Sequence, residues 1–468
     1  MNSLTVSAII FVVAMLGVGV FVSRRIESAE EFFVGGRKVH PILIVCTLVA
    51  SEVGGGAMLA AVGLGYSSGW GVMWYVAPFG VGALAFAFLL AKKIKEAGDK
   101  YGYQSMFDWL AGRYEGYVPI RIVGGLVMLA GLFGALASQY VAMGTALNSI
   151  TGLSLAYGAL IGGIVIIIYS TLGGLYSVMW TDLLQAVIFI FGMVVVLPML
   201  LIKAGGFSGI QAGTPAAYWT LFPKSVEWHF VMLATMTVAP FVRQYYYQRM
   251  FAARSFTTAR NSMLIQSAVL FITPVWAALV GMSIYAINPG LSNPEVAMPW
   301  ALKEILPTVV GVIVLGAIIA AIMSTGDTLL NAAALTFVRD IFRPLRPEAK
   351  EEDMLKYAKI STAVIGIISL IVAVFSKSVI GAIMKAWAIL GGGLFVPMVV
   401  SYYWKKSTRE GVLISLIVGL VVTLYLTIVQ TPVPAIFGGL GASFIALVVG
   451  SIATFKKGEK QTSETDVN

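Results

Sequence analysis

Apolar runs of the length that carries a helix across a bilayer, about 20 residues each, recur from one end of this 468-residue chain to the other. That recurrence constrains the fold more than any motif does. Only 11% of the residues are charged and 59% are hydrophobic, so a soluble domain of this size could not solvate its own surface. Inside lipid every backbone polar group must be satisfied within the protein, which favours helices for runs of this kind. The chain is therefore expected to be an all-α polytopic membrane protein. Its 50 glycines suit that class, because small residues let transmembrane helices approach closely.

Composition also excludes several chemistries. Cys46 is the single cysteine, so no disulfide framework forms, and His40 and His229 alone make no zinc, haem or iron–sulfur cluster. No phosphate-cradling Gly-rich loop followed by Lys and Ser/Thr occurs, so an ATP-driven pump and an organic cofactor are not expected.

Thirteen spans are predicted, near 4–22, 41–66, 71–91, 119–147, 154–171, 178–203, 226–247, 261–287, 305–337, 355–375, 378–403, 410–429 and 433–455. Alternate gaps (23–40, 92–118, 172–177, 248–260, 338–354, 404–409 and the tail), counted with the flanking span ends, hold 26 of the 31 Lys and Arg. The exceptions are Lys203, Lys224, Lys303, Lys377 and Lys385. This bias predicts a multi-pass protein of the cell membrane with its N-terminus outside and its C-terminus in the cytoplasm. It also accounts for the net charge of +9 without nucleic acid as a partner. The first span lacks a basic segment before it and is followed by Arg24 and Arg25, which predicts an uncleaved anchor rather than a signal peptide. One transmembrane domain is expected over 1–456, with a short polar tail at 457–468.

Four ionisable groups fall well inside these spans: Glu52, Asp182, Asp327 and Lys385. Each costs about 2.5 kcal/mol or more at a bilayer centre unless paired or hydrated, which makes each a candidate for function. Glu52 stands in "LVASEVGGGAMLAAVGLG", where three successive glycines should break a helix in mid-membrane. Broken backbone is tolerated there only where it lines a cavity or is buried in protein. In "AAIMSTGDTLLNAAAL", helical spacing puts Ala321, Thr325 and Thr328 on one face and Ser324, Asp327 and Asn331 on the next. Hydroxyls of this kind often bond back to their own helix. Facing freed carbonyls of a broken helix, they instead form an oxygen cage suited to a hard monovalent cation.

The chain resembles the sodium/solute symporter family, whose members include sodium-coupled proline, pantothenate, sialic acid and sugar transporters. The match is carried by "EEFFVGGRKV", "ASEVGGGAM", "YSTLGGLYSVMWTDLLQA", "QRMFAARSFTTAR", "AAIMSTGDTLL" and "AWAILGGGLFVPMVVSYYW", spread in family order along the chain. Among these members the motif pattern is nearest to the sodium/proline branch. The resemblance implies a LeuT-type fold: an additional N-terminal helix and loop (1–40), a first five-helix repeat (41–203), an inverted second repeat (226–403) and two C-terminal helices (410–455). Helices at the start of each repeat would be broken near the substrate, the second near "TMTVAP" (Thr235 to Pro240).

Carried over by resemblance, the common sodium site falls on the carbonyls of Ala50, Val53 and Ala321 and the hydroxyls of Ser324 and Thr325. A second site for sodium or a proton falls on Asp182, Asp327 and Thr328, where the family's second hydroxyl pair is replaced in part by the Asp327 carboxylate. Substrate-binding positions are Glu52, Gly54, Gly55, Lys385 and Trp387, with Lys385 either holding a substrate carboxylate or neutralising Glu52. The implied function is import of a small organic solute, an amino acid such as proline or a carboxylate, coupled to Na+ by alternating access. Proton coupling through Glu52, Asp182 or Asp327 on the same fold is the nearest rival. A channel, a sensory receptor and a membrane enzyme are weaker alternatives, since no re-entrant filter, sensor domain or catalytic constellation occurs in the sequence. The expected partners are a small-molecule substrate and the lipid bilayer, with no obligate protein partner.

Overall fold

The computed structural model describes residues 3–23, 28–54, 56–376 and 378–455. Among these residues the architecture is helical throughout, with one isolated parallel bridge between Val39 and Ala253. The main helices of the first half are α1 (Ser3–Ser23), α2 (Pro41–Glu52), α3 (Val62–Ser68), α4 (Met73–Leu89), α5 (Val118–Thr151) and α6 (Leu155–Lys203). They are followed by α7 (Val226–Val238), α8 (Gln244–Ala252), α9 (Phe256–Ile287) and α10 (Thr308–Leu335). The last four are α11 (Glu351–Val374), α12 (Val379–Phe395), α13 (Arg409–Val429) and α14 (Ala435–Thr454).

Nine continuous helical stretches among the described residues are long and apolar enough to cross a bilayer, against thirteen predicted spans. The difference has local causes. Two predicted spans, 41–66 and 226–247, are interrupted and leave the shorter apolar pieces Pro41–Glu52 and Val226–Val242. Two others, 154–171 and 178–203, run together as the 49-residue α6. The predicted connection at 172–177 is thus a bend inside a helix rather than a loop. It turns at Gly174, whose φ of 52° lies in the left-handed region open to glycine. A Cβ at Gly174 would fall 2.6 Å from a ring carbon of Phe32, so the bend also seats that ring. The first predicted span, 4–22, corresponds to the 21-residue α1.

Side-chain caps set where several helices begin. The hydroxyls of Ser225, Ser255, Ser378 and Thr408 accept from the backbone N–H groups of Trp228, Thr258, Gly381 and Gly411 at 3.1–3.2 Å. Each such cap is worth about 1 kcal/mol, because it satisfies a donor that the first turn leaves unpaired.

At the centre lies α10, in which every residue from Val314 to Leu335 is buried. It packs along α5 and α6, while α9 packs on α3 and α4. At the periphery α13 and α14 pair and leave Ile417, Val421, Ile445 and Val449 exposed, a surface suited to hydrocarbon. In lipid such association draws on packing and interhelical hydrogen bonds rather than on expulsion of water. The polar residues buried in α10 are therefore the ones whose partners matter.

Candidate functional site

The helix α2 stops at Glu52 because the sequence that follows cannot continue it. Val53 leaves helical geometry with φ −87° and ψ 27°, and the chain re-enters a helical path through the wide turn Gly56–Ala61. The break frees carbonyls at the end of α2, and α10 lies against it. Thr325 Oγ1 donates 3.0 Å to the Ser51 carbonyl and lies 3.1 Å from the Ala321 carbonyl of its own helix. A Cβ on Gly54 would fall 1.7 Å from Thr325 Oγ1 and 2.7 Å from the Ala321 oxygen, so only glycine lets the broken segment approach so closely. Ala50, Val53, Ala321, Ser324 and Thr325 are all buried at this contact.

The second break lies where the sequence placed it, slightly further along. After α7 ends at Val238, a short tight turn over Ala239–Val242 contains Pro240, and Arg243 is extended with φ −99° and ψ 108° before α8 begins. Pro240 supplies no N–H and so weakens the helix here. The break presents Arg243 to the first one. Arg243 Nη1 meets Glu52 Oε2 at 2.5 Å, and the Tyr245 hydroxyl donates to Glu52 Oε1 at 2.6 Å. The guanidinium carbon sits 4.1 Å from the Phe79 ring centre and 3.9 Å from that of Trp387. Arg243 is thus stacked in an aromatic slot and tied to a carboxylate, an arrangement that suits a buried guanidinium.

Between the two breaks lies a cavity of about 560 Å³, its open mouth included. Ser51, Glu52, Gly54, Arg243, Thr325 and Trp387 line it together with Phe79, Gln139 and apolar side chains. Of the predicted substrate positions, Glu52, Gly54 and Trp387 are therefore at the cavity. Gly55 lies outside the described residues. Lys385 is exposed and is not among the lining residues. Glu52 takes its cation from Arg243, so the expectation that Lys385 neutralises it is corrected: on α12 Lys385 falls on the outward side, two positions from the inward Trp387.

Behind the first break is a buried polar cluster. Asp182 accepts from the hydroxyls of Thr47 and Ser324, each at 2.5 Å. Arg249 Nη2 donates to Thr47 Oγ1 at 2.9 Å and to Thr328 Oγ1 at 2.7 Å. Thr328 in turn shares a 2.9 Å hydrogen bond with Ser51 Oγ. Both carboxylate oxygens of Asp327 are buried and make no hydrogen bond of ordinary geometry. The structure thus brings Asp182, Asp327 and Thr328 into one buried region, and it commits the Ser324 hydroxyl to Asp182 rather than to the broken backbone.

Sequence reasoning missed Arg243 and Arg249. By charge alone both belong to the positive gap 248–260 and the flanking end of the predicted span 226–247, where an arginine needs no explanation. A usable signal was present: Arg243 follows the predicted Pro240 break by three residues, within "APFVRQYYYQRM", where a break turns a flanking charge inward.

Comparisons with known proteins agree with this architecture. The model of the sodium:solute symporter family matches residues 32–419. Sodium/proline symporter 2 of Staphylococcus saprophyticus is 26% identical over 98% of this chain and 94% of its own length. The sodium/glucose cotransporter of Vibrio parahaemolyticus is 23% identical over 91% and 85%. Among solved structures, an outward-open sodium-coupled sialic acid symporter superposes with a TM-score of 0.80 at 20% identity, over 97% of this chain and 98% of that one. MHP1, a nucleobase-cation-symport-1 family transporter, superposes with a TM-score of 0.59 at 14% identity, over 92% and 96%. These superpositions show the LeuT-type fold. With the family model matched over most of its length, the chain belongs to the sodium:solute symporter family, multi-pass membrane proteins that couple solute transport to Na+.

Proposed function

We propose that Na+ binds where α10 crosses the first break, held by the carbonyls of Ala50, Val53 and Ala321 and the hydroxyls of Ser324 and Thr325, and that the adjoining cavity takes a small organic solute. The observation that carries this reading is the bridge made by Thr325 between the freed Ser51 carbonyl and the Ala321 carbonyl at 3.0–3.1 Å. All donors at this contact are neutral oxygens, the chemistry that suits a hard monovalent cation. Thr325, Ser51 and Gly54 also line the cavity, so ion and solute would share a wall. Na+ in the cage would order the broken end of α2 and so prepare the wall that the solute contacts. The solute is an amino acid, such as proline, or another carboxylate, and import follows from rocking of the inverted repeats 41–203 and 226–403 about this site. The termini lie as the charge bias predicts, N-terminus outside and C-terminus in the cytoplasm.

The second site supports a second reading, in which a proton contributes to coupling. Its motivation is Asp327, a buried carboxylate that faces the Tyr169 hydroxyl and the Thr328 N–H but makes no hydrogen bond of ordinary geometry to either. One experiment separates the two. Na+ is titrated against K+ and choline into purified protein across pH 5.5 to 8.5, following tryptophan fluorescence and thermal unfolding. A saturable, Na+-selective response that is weakened tenfold or more in Thr325→Ala is expected. A response to pH alone, with none to Na+, would move the coupling to protons.

A further inference from the structure

We propose that Arg243 is the residue that recognises the transported solute, and that it does so by taking a carboxylate on the free edge of its guanidinium. This rests on the cavity being the solute site. The guanidinium has two edges of paired N–H donors. Both of its hydrogen bonds, to Glu52 and to the Tyr245 hydroxyl, leave from Nη1. Its Nε is buried without a partner, while the residue lines the cavity. A buried donor left unpaired is costly and points to a group absent from the protein itself. The edge formed by Nε and Nη2 matches a carboxylate in two parallel hydrogen bonds.

The surroundings favour this use of Arg243 over a purely structural ion pair. Phe79 and Trp387 stack on the guanidinium with ring centres 4.1 and 3.9 Å from its central carbon, which fixes its plane. Glu52 and Tyr245 fix its rotation about that plane. A structural pair needs neither a held plane nor a spare edge at a cavity. The rest of the lining is mostly apolar, including Val76, Met236, Leu270 and Ile383. It suits a small apolar body attached to the carboxylate. Both Glu52 oxygens already receive a donor, so an amino group on the solute is not required for its charge to be met. A simple carboxylic acid and a zwitterionic amino acid share the feature that Arg243 reads.

The test uses the full chain, purified in detergent with Na+ present. Lactate, pyruvate, butyrate, benzoate, proline, leucine and alanine are each compared with the matching primary amide by thermal unfolding. At least one carboxylate is expected to raise the unfolding temperature while its amide does not. Arg243→Gln should abolish that response and Arg243→Lys should weaken it tenfold or more, because Lys keeps the charge but lacks the fork. The shift caused by Na+ alone should survive in both, which shows that the variants are folded. Should Arg243→Gln fail to fold, Glu52→Gln combined with Arg243→Gln removes both charges together and serves in its place. Whether the responding solutes need an amino group separates zwitterions from simple acids. Equal responses to acids and amides, an undiminished carboxylate response in Arg243→Gln, or no carboxylate response beside a clear Na+ shift would each overturn the assignment. A wild type that ignores Na+ would overturn the ion site instead, and the acid-against-amide comparison would still decide the role of Arg243.

Discussion

Gly54 and Thr325 meet so closely across the first break that a Cβ on the glycine would lie 1.7 Å from the threonine hydroxyl oxygen. The contact joins the end of a broken helix to the most deeply buried helix of the bundle. Gly54→Ala is expected to destabilise the protein by about 1–3 kcal/mol, as overpacking of a tight contact does. It should also weaken the Na+ response, because the Ser51 carbonyl and Thr325 would be pushed apart. Adding Thr325→Ala should recover part of the stability and none of the Na+ response. Thermal unfolding with and without Na+ checks both; a Gly54→Ala protein as stable and as Na+-responsive as wild type would show that the contact is not needed.

Ser324 and Thr325 are neighbours in sequence with different partners. Thr325 addresses the freed Ser51 carbonyl, whereas Ser324 donates to Asp182. Thr325→Ala is expected to raise the Na+ concentration at half response tenfold or more, at every pH tested. Ser324→Ala should also weaken Na+, but by an amount that changes with pH, since it strips a donor from a buried carboxylate. Thr325→Ser keeps the hydroxyl and should stay near wild type. Na+ titrations at three pH values distinguish the two residues, and identical pH behaviour would refute the division of roles.

Much of this arrangement was legible in the sequence, and the reasons are specific. The break after Glu52 was legible because glycines act on the backbone locally, and the polar run at Ser324 because hydroxyls and a carboxylate stand out in an apolar helix. The bend at Gly174 reads as a loop in the sequence, since a glycine pair looks the same whether the chain stops or kinks. Partners were less visible. Glu52 could be matched to Lys385 by sequence, but which side of α12 faces inward depends on helix packing, and Trp387 took that side. Arg243 and Arg249 were hidden by a rule that is sound on average, because positive residues after a span normally mark its cytoplasmic end. A helix broken inside the span carries such residues inward.

Arg249 donates to the hydroxyl of Thr47, which itself bonds Asp182, and to that of Thr328, the chain neighbour of Asp327. Removing its charge would leave buried carboxylates without a nearby cation. Arg249→Gln is therefore expected to cost about 3 kcal/mol, the scale seen when one partner of a buried charge arrangement is deleted. Asp327→Asn in the same protein should return a large part of that loss. Unfolding of the two single variants and the double variant measures the coupling directly. Additive losses would mean that Arg249 and Asp327 do not sense each other.

A further buried cluster gathers around Asp108 on the short helix Met106–Gly112, which belongs to none of the stretches long enough to cross a bilayer. Asp108 faces Arg121 at 2.9 Å and Arg339 at 3.0 Å, with Asp340 close by and held by Ser105. It also accepts from the backbone N–H groups of Gln104 and Ser105, completing a capping box. Burial pushes the Asp108 carboxyl up, but the guanidinium groups of Arg339 and Arg121 outweigh it and hold the carboxyl below its usual value. A depressed value in the folded state means that Asp108 contributes stability above its unfolded value of about 4, and that this is lost as pH falls through the lower folded value. Asp108→Asn should lower stability at neutral pH by roughly 2 kcal/mol, discounted from a fully buried pair because both arginines are partly exposed. Its loss of stability between pH 5 and pH 3 should be shallower than that of the wild type. Unfolding temperatures of both proteins across that range provide the check, and parallel acid limbs would show that Asp108 adds nothing that titrates there.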